Sequence, residues 1–214
     1  MLNILLLVCV ILLIIAFVRI MLIYFKTKNI KIEDVRGFDI LKELTSNYDE
    51  INIVESNESV ISKYNLKRRV IRLTSKDYNS NDLFTLGKVS FLASYSILKV
   101  NRDKNIDMIS KVLPNIDYFN KSSFIALLIS IFFNTKGDAK IAIILLSIIL
   151  VYQYLINEIN ITSKDEIKKE LESILKNKNF SLVEEVQNSF LFLNKISFIT
   201  TLILILRAIL IIIM

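Results

Sequence analysis

The chain alternates between long apolar runs and densely charged segments, and that alternation predicts most of its elements. Residues 1–25 are apolar apart from Asn3 and Arg19, and residues 139–157 and 196–214 form two further apolar runs. Each of these two is about 19 residues long, or roughly 28 Å as a helix, enough to cross the hydrocarbon core of a bilayer. Residues 122–135 hold a shorter run, FIALLISIFF, between Ser122, Ser123 and Asn134. About ten apolar residues reach only roughly 15 Å, so two forms are open to it: a span through a thinned bilayer, or a re-entrant half-helix. A span puts both charged segments on one side of the membrane, and it is the form expected. The pattern thus predicts a mainly α integral membrane protein with about four transmembrane helices and a small α/β portion outside the bilayer.

In the first charged segment, Val35, Phe38, Leu41 and Leu44 recur every three residues. That spacing predicts an amphipathic helix over 33–47, with Glu33 and Asp34 in its first turn. Residues 51–55 and 69–74 alternate or are β-branched, and predict two strands. Two strands make no stable free sheet, so they are expected to lean on helices or on the membrane. The run LFTLGKVSFLASYSILK over 83–99 predicts a central helix. Asn81 and Asp82 offer its N-cap, and Leu86, Val89, Phe91, Leu92, Tyr95 and Leu98 recur at helical spacing. A shorter helix over 103–113 should stop at Pro114, the one proline. In the second charged segment, Ser163 with Glu166 and Ser181 with Glu184 each fit a capping box, so two separate helices are expected over 158–194.

Lys26, Lys28 and Lys31 follow the first apolar run directly. The positive-inside rule then puts the N-terminus outside and the segment after it in the cytoplasm. The expected organisation is a membrane anchor (1–25), a cytoplasmic α/β portion (26–121), a membrane hairpin (122–157), cytoplasmic helices (158–195) and a last membrane helix (196–214). This is a multi-pass protein of the cell membrane. Arg19 and Arg207 sit inside apolar runs. Arg19 is close enough to its helix end to snorkel to the interface.

Composition removes whole classes of chemistry. The chain has no histidine, and its one cysteine, Cys9, lies in the first apolar run. A His-based triad, an imidazole general base, an imidazole-ligated metal and an intrachain disulfide are all excluded. Three glycines form no phosphate-binding loop. The basic cluster KYNLKRRVIR over 63–72 reads as a solvated strand face or as a contact with anionic lipid headgroups, worth about 1 kcal/mol per basic residue near the surface. It is not read as a nucleic-acid site. Membrane lipid is the partner expected from the sequence itself.

Four stretches carry a resemblance when taken in order. SKYNLKRRVIRLTSKDYNSND (62–82) leads without a gap to SFLASYS (90–96); NEINITSK (157–164) follows an apolar run; and ILRAILIII (205–213) embeds Arg207 in the last one. The chain resembles the membrane-bound neutral zinc metallopeptidases of the YugP type over roughly residues 30–214. In that family an extended segment ends in Tyr, and a strand and a second Tyr precede an H-E-x-G-H helix. A V-E-F-N-A-S-x-R run follows a later membrane helix. Tyr64, Arg72, Leu73, Tyr78, Glu158, Asn160 and Arg207 fall on matching positions. The resemblance implies a zincin-like cytoplasmic portion, zinc as the cofactor, two His and a later acid as ligands, and the motif Glu as general base. At the motif this chain departs completely. Phe91, Leu92 and Tyr95 stand where the family has His, Glu and His, Ser94 stands where it has Gly, and Glu158 alone remains at the third ligand position.

Three functional readings follow. The first is a membrane pseudo-peptidase that binds no zinc and serves as a scaffold or partner-binding subunit, with an active homologue or another membrane protein as its partner. The second is a working metallopeptidase whose metal is held by Glu158 with carboxylates such as Asp77 or Asp82. The third is a small transport or channel subunit, suggested only by Arg19 and Arg207. Under the first reading, Phe91 and Tyr95, four apart and so on one helical face, should fill the old metal cavity beside Glu158 at the inner end of the 139–157 helix.

Overall fold

The computed structural model describes residues 2–33, 35–47, 51–57, 62–65, 69–97, 122–123, 125–126, 129, 133, 135–175 and 179–213. The expected helix over 103–113 and most of the short apolar run over 122–135 lie outside the described residues. Helix α1 spans Leu2–Thr27, α2 Gly37–Leu44, α3 Ser75–Asn79 and α4 Leu83–Ile97. Two much longer helices close the chain, α5 over Lys136–Ile174 and α6 over Phe180–Ile213. Among the described residues, three helical stretches are long and apolar enough to cross a membrane: Leu7–Thr27, Lys136–Glu158 and Phe180–Ile213. The predicted fourth, over 122–135, lies mostly outside the described residues.

The sheet corrects the expected pair of strands. Strands β1 (Asn52–Ser56), β2 (Lys63–Asn65) and β3 (Val70–Thr74) form three strands in the order β1-β3-β2. β3 is central and pairs parallel with β1 and antiparallel with β2, where Lys63 faces Arg72 in the register. Alternation is clearest in β3, whose Ile71 and Leu73 are fully buried. β2 has only three residues, too few to show a period, so it forms by pairing with β3. The amphipathic helix is also shorter than expected. It begins at Gly37, with the Arg36 backbone N–H donating to Asp39 at 2.9 Å. Gly37 is required there for close approach, because a Cβ would lie 2.1 Å from the Asp77 carbonyl oxygen.

The long helices overturn the expected breaks near 157 and 195. Ser163 and Glu166 lie inside continuous helix, and Ser181 lies in the first turn of α6. Neither α5 beyond Gly137 nor α6 contains a Gly or Pro, so nothing in either sequence stops the i→i−4 ladder. A capping box in a strong helical context is simply overrun. α5 is 39 residues and α6 34, or about 58 and 51 Å of helix. Each therefore exceeds the roughly 30 Å thickness of a hydrocarbon core, α5 by about 28 Å and α6 by about 21 Å.

The head of the molecule is built on those extensions. One apolar core joins Ile40, Leu41 and Leu44 of α2, Ile71 and Leu73 of β3, and Leu83, Leu86, Val89 and Ala93 of α4 to Ile167, Leu171 and Leu175 at the end of α5 and Val183 at the start of α6. The sheet leans on helices, as two or three short strands must. The segment leaving α1 is pinned to the segment entering α4, through Ile32 N–H to the Asn81 carbonyl and Leu83 N–H to the Ile30 carbonyl, both at 3.0 Å.

Candidate functional site

The site is built around α4. Asp82 caps it: the Thr85 backbone N–H donates to Asp82 Oδ1 at 2.9 Å and the Thr85 hydroxyl donates to Oδ2 at 2.8 Å. The first half of the helix is then fastened by polar contacts. Lys88 Nζ donates to Asp77 Oδ2 at 2.5 Å, and the Ser62 hydroxyl donates to the same oxygen. Ser62 in turn accepts from the Thr74 backbone N–H at 2.9 Å. Asp77 is buried, so this carboxylate is held by charge and hydrogen bond rather than by water. It ties the end of β3, α3 and α4 together. Buried Ser90 accepts from Gln187 Nε2 of α6 at 2.9 Å and donates to the Gly87 carbonyl at 2.9 Å. Gly87 lets the two helices touch, because a Cβ there would lie 2.7 Å from Val186 Cβ.

The second half carries the positions that the sequence singled out. Phe91 is half-buried, and its ring stacks on Phe190 of α6 with centroids 5.4 Å apart. Phe190 also meets Phe84, which meets Tyr24 of α1 at 5.1 Å, so a string of rings joins α1, α4 and α6. Leu92 packs against the main core. Ser94 is buried and donates to the Phe91 carbonyl one turn back. Tyr95 lies one turn beyond Phe91 on the same helix. Glu158 is exposed on α5, and its carboxylate accepts from the Tyr154 phenol, four residues earlier. The Phe91 ring thus meets α6, and these contacts do not bear on its expected approach to Glu158 at the inner end of α5.

Contacts along the helices set their relative levels. α4 and α6 run parallel, since Gly87 meets Val186, Ser90 meets Gln187 and Phe91 meets Phe190. α5 and α6 run antiparallel, with Gln153 Nε2 donating to Ser197 Oγ at 2.9 Å. α1 runs antiparallel to α6, with Lys26 paired to Glu185 at 2.8 Å and the Arg19 guanidinium 5.0 Å from the Phe192 ring centroid. Counting along each helix brings positions 19, 95, 158 and 192–194 to a common level. The apolar runs of α5 and α6 begin there. The end of α4, which carries the motif positions, therefore meets the rim of the apolar layer.

The side chains at the motif positions do not fit a zinc site. Zinc takes thiolate, imidazole or carboxylate, and the four motif positions offer two hydrocarbon side chains, a hydroxyl and a phenol. Asp77 is engaged by Lys88 and Ser62, and Asp82 by Thr85. Among the described residues, no group of three or more His, Cys, Asp or Glu could hold a metal ion. The contacts that fasten α4, through Lys88, Ser90 and Gln187, were not found by sequence reasoning. Thr74 followed by Asp77 is a local cap signal that does point to α3, where Thr74 Oγ1 accepts from the Asp77 N–H at 3.1 Å.

A family model described as Putative neutral zinc metallopeptidase matches residues 2–212. No curated protein and no solved structure matches the chain.

Proposed function

Because the chain belongs to the neutral zinc metallopeptidase family, we propose that it is a non-catalytic member, a membrane pseudo-peptidase that keeps the scaffold and binds a partner. The observation that carries this reading is the donor set at the motif. Phe91, Leu92 and Tyr95 stand at the ligand and general-base positions that the sequence resemblance assigns, in a chain with no histidine at all. A metal-bound water near neutral pKa needs a held metal, and these side chains cannot hold one. The stacking of Phe91 on Phe190 supports it further, since apolar packing takes up the face that coordination would need. The head, fixed by a buried ion pair and a continuous core, is retained as a rigid surface.

In this reading the protein is multi-pass and the head is cytoplasmic, on the side marked by Lys26, Lys28 and Lys31. The partner is a membrane protein, and an active homologue forming a heteromer with this chain is the first to test. Elemental analysis of the purified protein checks the central claim. The expected result is no stoichiometric zinc after mild chelation. About one zinc per chain would overturn the reading and favour metal held by carboxylates.

A further inference from the structure

The seam between α5 and α6 contains buried polar atoms that no protein group satisfies. Gln153 Oε1 and Asn157 Oδ1 on α5 are acceptors without a donor, and Asn194 Nδ2 on α6 is a donor without an acceptor. The hydrogen bond from Gln153 Nε2 to Ser197 Oγ, 2.9 Å long, fixes how the two helices face each other here. Asn157 is four residues beyond Gln153 on α5, about 6 Å along the axis, and Asn194 is three residues before Ser197 on α6, about 4.5 Å in the same direction because the helices are antiparallel. Positions four and three apart also stay on one face. The three atoms therefore open into a single short stretch of the seam, beside the rim where α4 ends.

Left unpaired, each of these groups costs about 1–3 kcal/mol, and a protein interior rarely tolerates three together. The donor count identifies what satisfies them. Two acceptors and one donor are the complement of one water molecule, which donates twice and accepts once. Buried waters typically make about three hydrogen bonds to otherwise unsatisfied groups. We propose that the α5–α6 seam is a binding site for one ordered water, which donates to Gln153 Oε1 and Asn157 Oδ1 and accepts from Asn194 Nδ2. A larger ligand does not suit atoms that are buried, and an apolar one leaves all three unsatisfied. Thr200 and Arg207 lie further along α6, Thr200 beside Cys9 of α1, and form no part of the site.

The water is an internal strut of the bundle. It joins α5 to α6 at the level where the bundle leaves the apolar layer, next to the direct Gln153–Ser197 bond. The test is magnetisation transfer from water to the side-chain amide protons of Asn194 in the full-length protein in nanodiscs. Those protons are assigned by their loss in Asn194→Leu. The expected result is a cross-peak to a slowly exchanging water. Its absence, with Asn194 bonded directly to Asn157, overturns the proposal. A thermal double-mutant cycle provides a second readout. Asn157→Leu and Asn194→Leu should each lower the midpoint by about 3–6 °C, as one or two kcal/mol does for a chain of this size. The double variant should fall no further than the worse single one, because both lose the same water. Additive losses overturn the proposal.

Discussion

The two halves of α4 are fastened by different physics. From Asp82 to Ser90 the helix adds to its buried Leu83, Leu86 and Val89 a set of polar contacts with defined partners: a capping carboxylate, the Lys88–Asp77 pair and the Ser90–Gln187 bond. At Phe91, Leu92 and Ala93 packing contributes, through the Phe190 stack and burial against neighbouring side chains. Directional contacts sit where the helix is aligned on the sheet and on α6. Non-directional contacts sit where the sequence resemblance puts metal ligands. A helix that is oriented by its first half can accept almost any apolar side chain in its second without losing its place. On the proposed non-catalytic reading, that separation is what lets the fold part with metal chemistry and remain intact.

Three substitutions test this contrast. Lys88→Met should have the largest effect, because it leaves the buried Asp77 carboxylate without its counter-charge. A loss of about 3 kcal/mol is expected, at the low end for breaking a buried pair because Lys88 is partly exposed. Unfolding of the purified protein in mixed micelles measures it, and a loss under about 1 kcal/mol would mean that the polar half is not what fastens the helix. Phe91→Ala should come next, at about 2 kcal/mol, below the usual range for a fully buried ring because Phe91 is only half-buried. Phe91→Leu should recover most of that loss. If the leucine variant is as unstable as the alanine one, the second half depends on a specific ring contact after all, and the contrast fails. The smallest effect is expected for Ser90→Ala, at about 1 kcal/mol for a lost neutral hydrogen bond. Ser90→Ala combined with Gln187→Leu should cost less than the sum of the two single changes, since both remove one bond.

The legible parts of this molecule are those with a local period. The membrane-length runs, β3 and α4 with its Asp82 cap all repeat or punctuate within a few residues, and each is found where the sequence puts it. β2 was missed because three residues inside a basic cluster carry no period, and its state is decided by β3. The long helices were misread for the opposite reason. Ser163 with Glu166 is a real local signature, but a cap forms only where the helix has cause to begin, and no Gly or Pro interrupts α5 beyond Gly137. At the site, the identity of the motif positions was readable, and their partners were not. Phe190 and Gln187 lie about a hundred residues from Phe91 and Ser90, and no local pattern names them.

The uninterrupted course of α5 and α6 has a mechanical consequence. The rods that are long and apolar enough to cross a membrane are the same rods that carry the core of the head, and no Gly or Pro interrupts either between the two. A tilt of about 10° in the membrane moves the far end of roughly 20 Å of projecting helix by about 3–4 Å, with the head carried along as one piece. On the membrane-spanning reading, such a tilt displaces the sheet and α4 together. A load applied to the head travels back along the same uninterrupted helices.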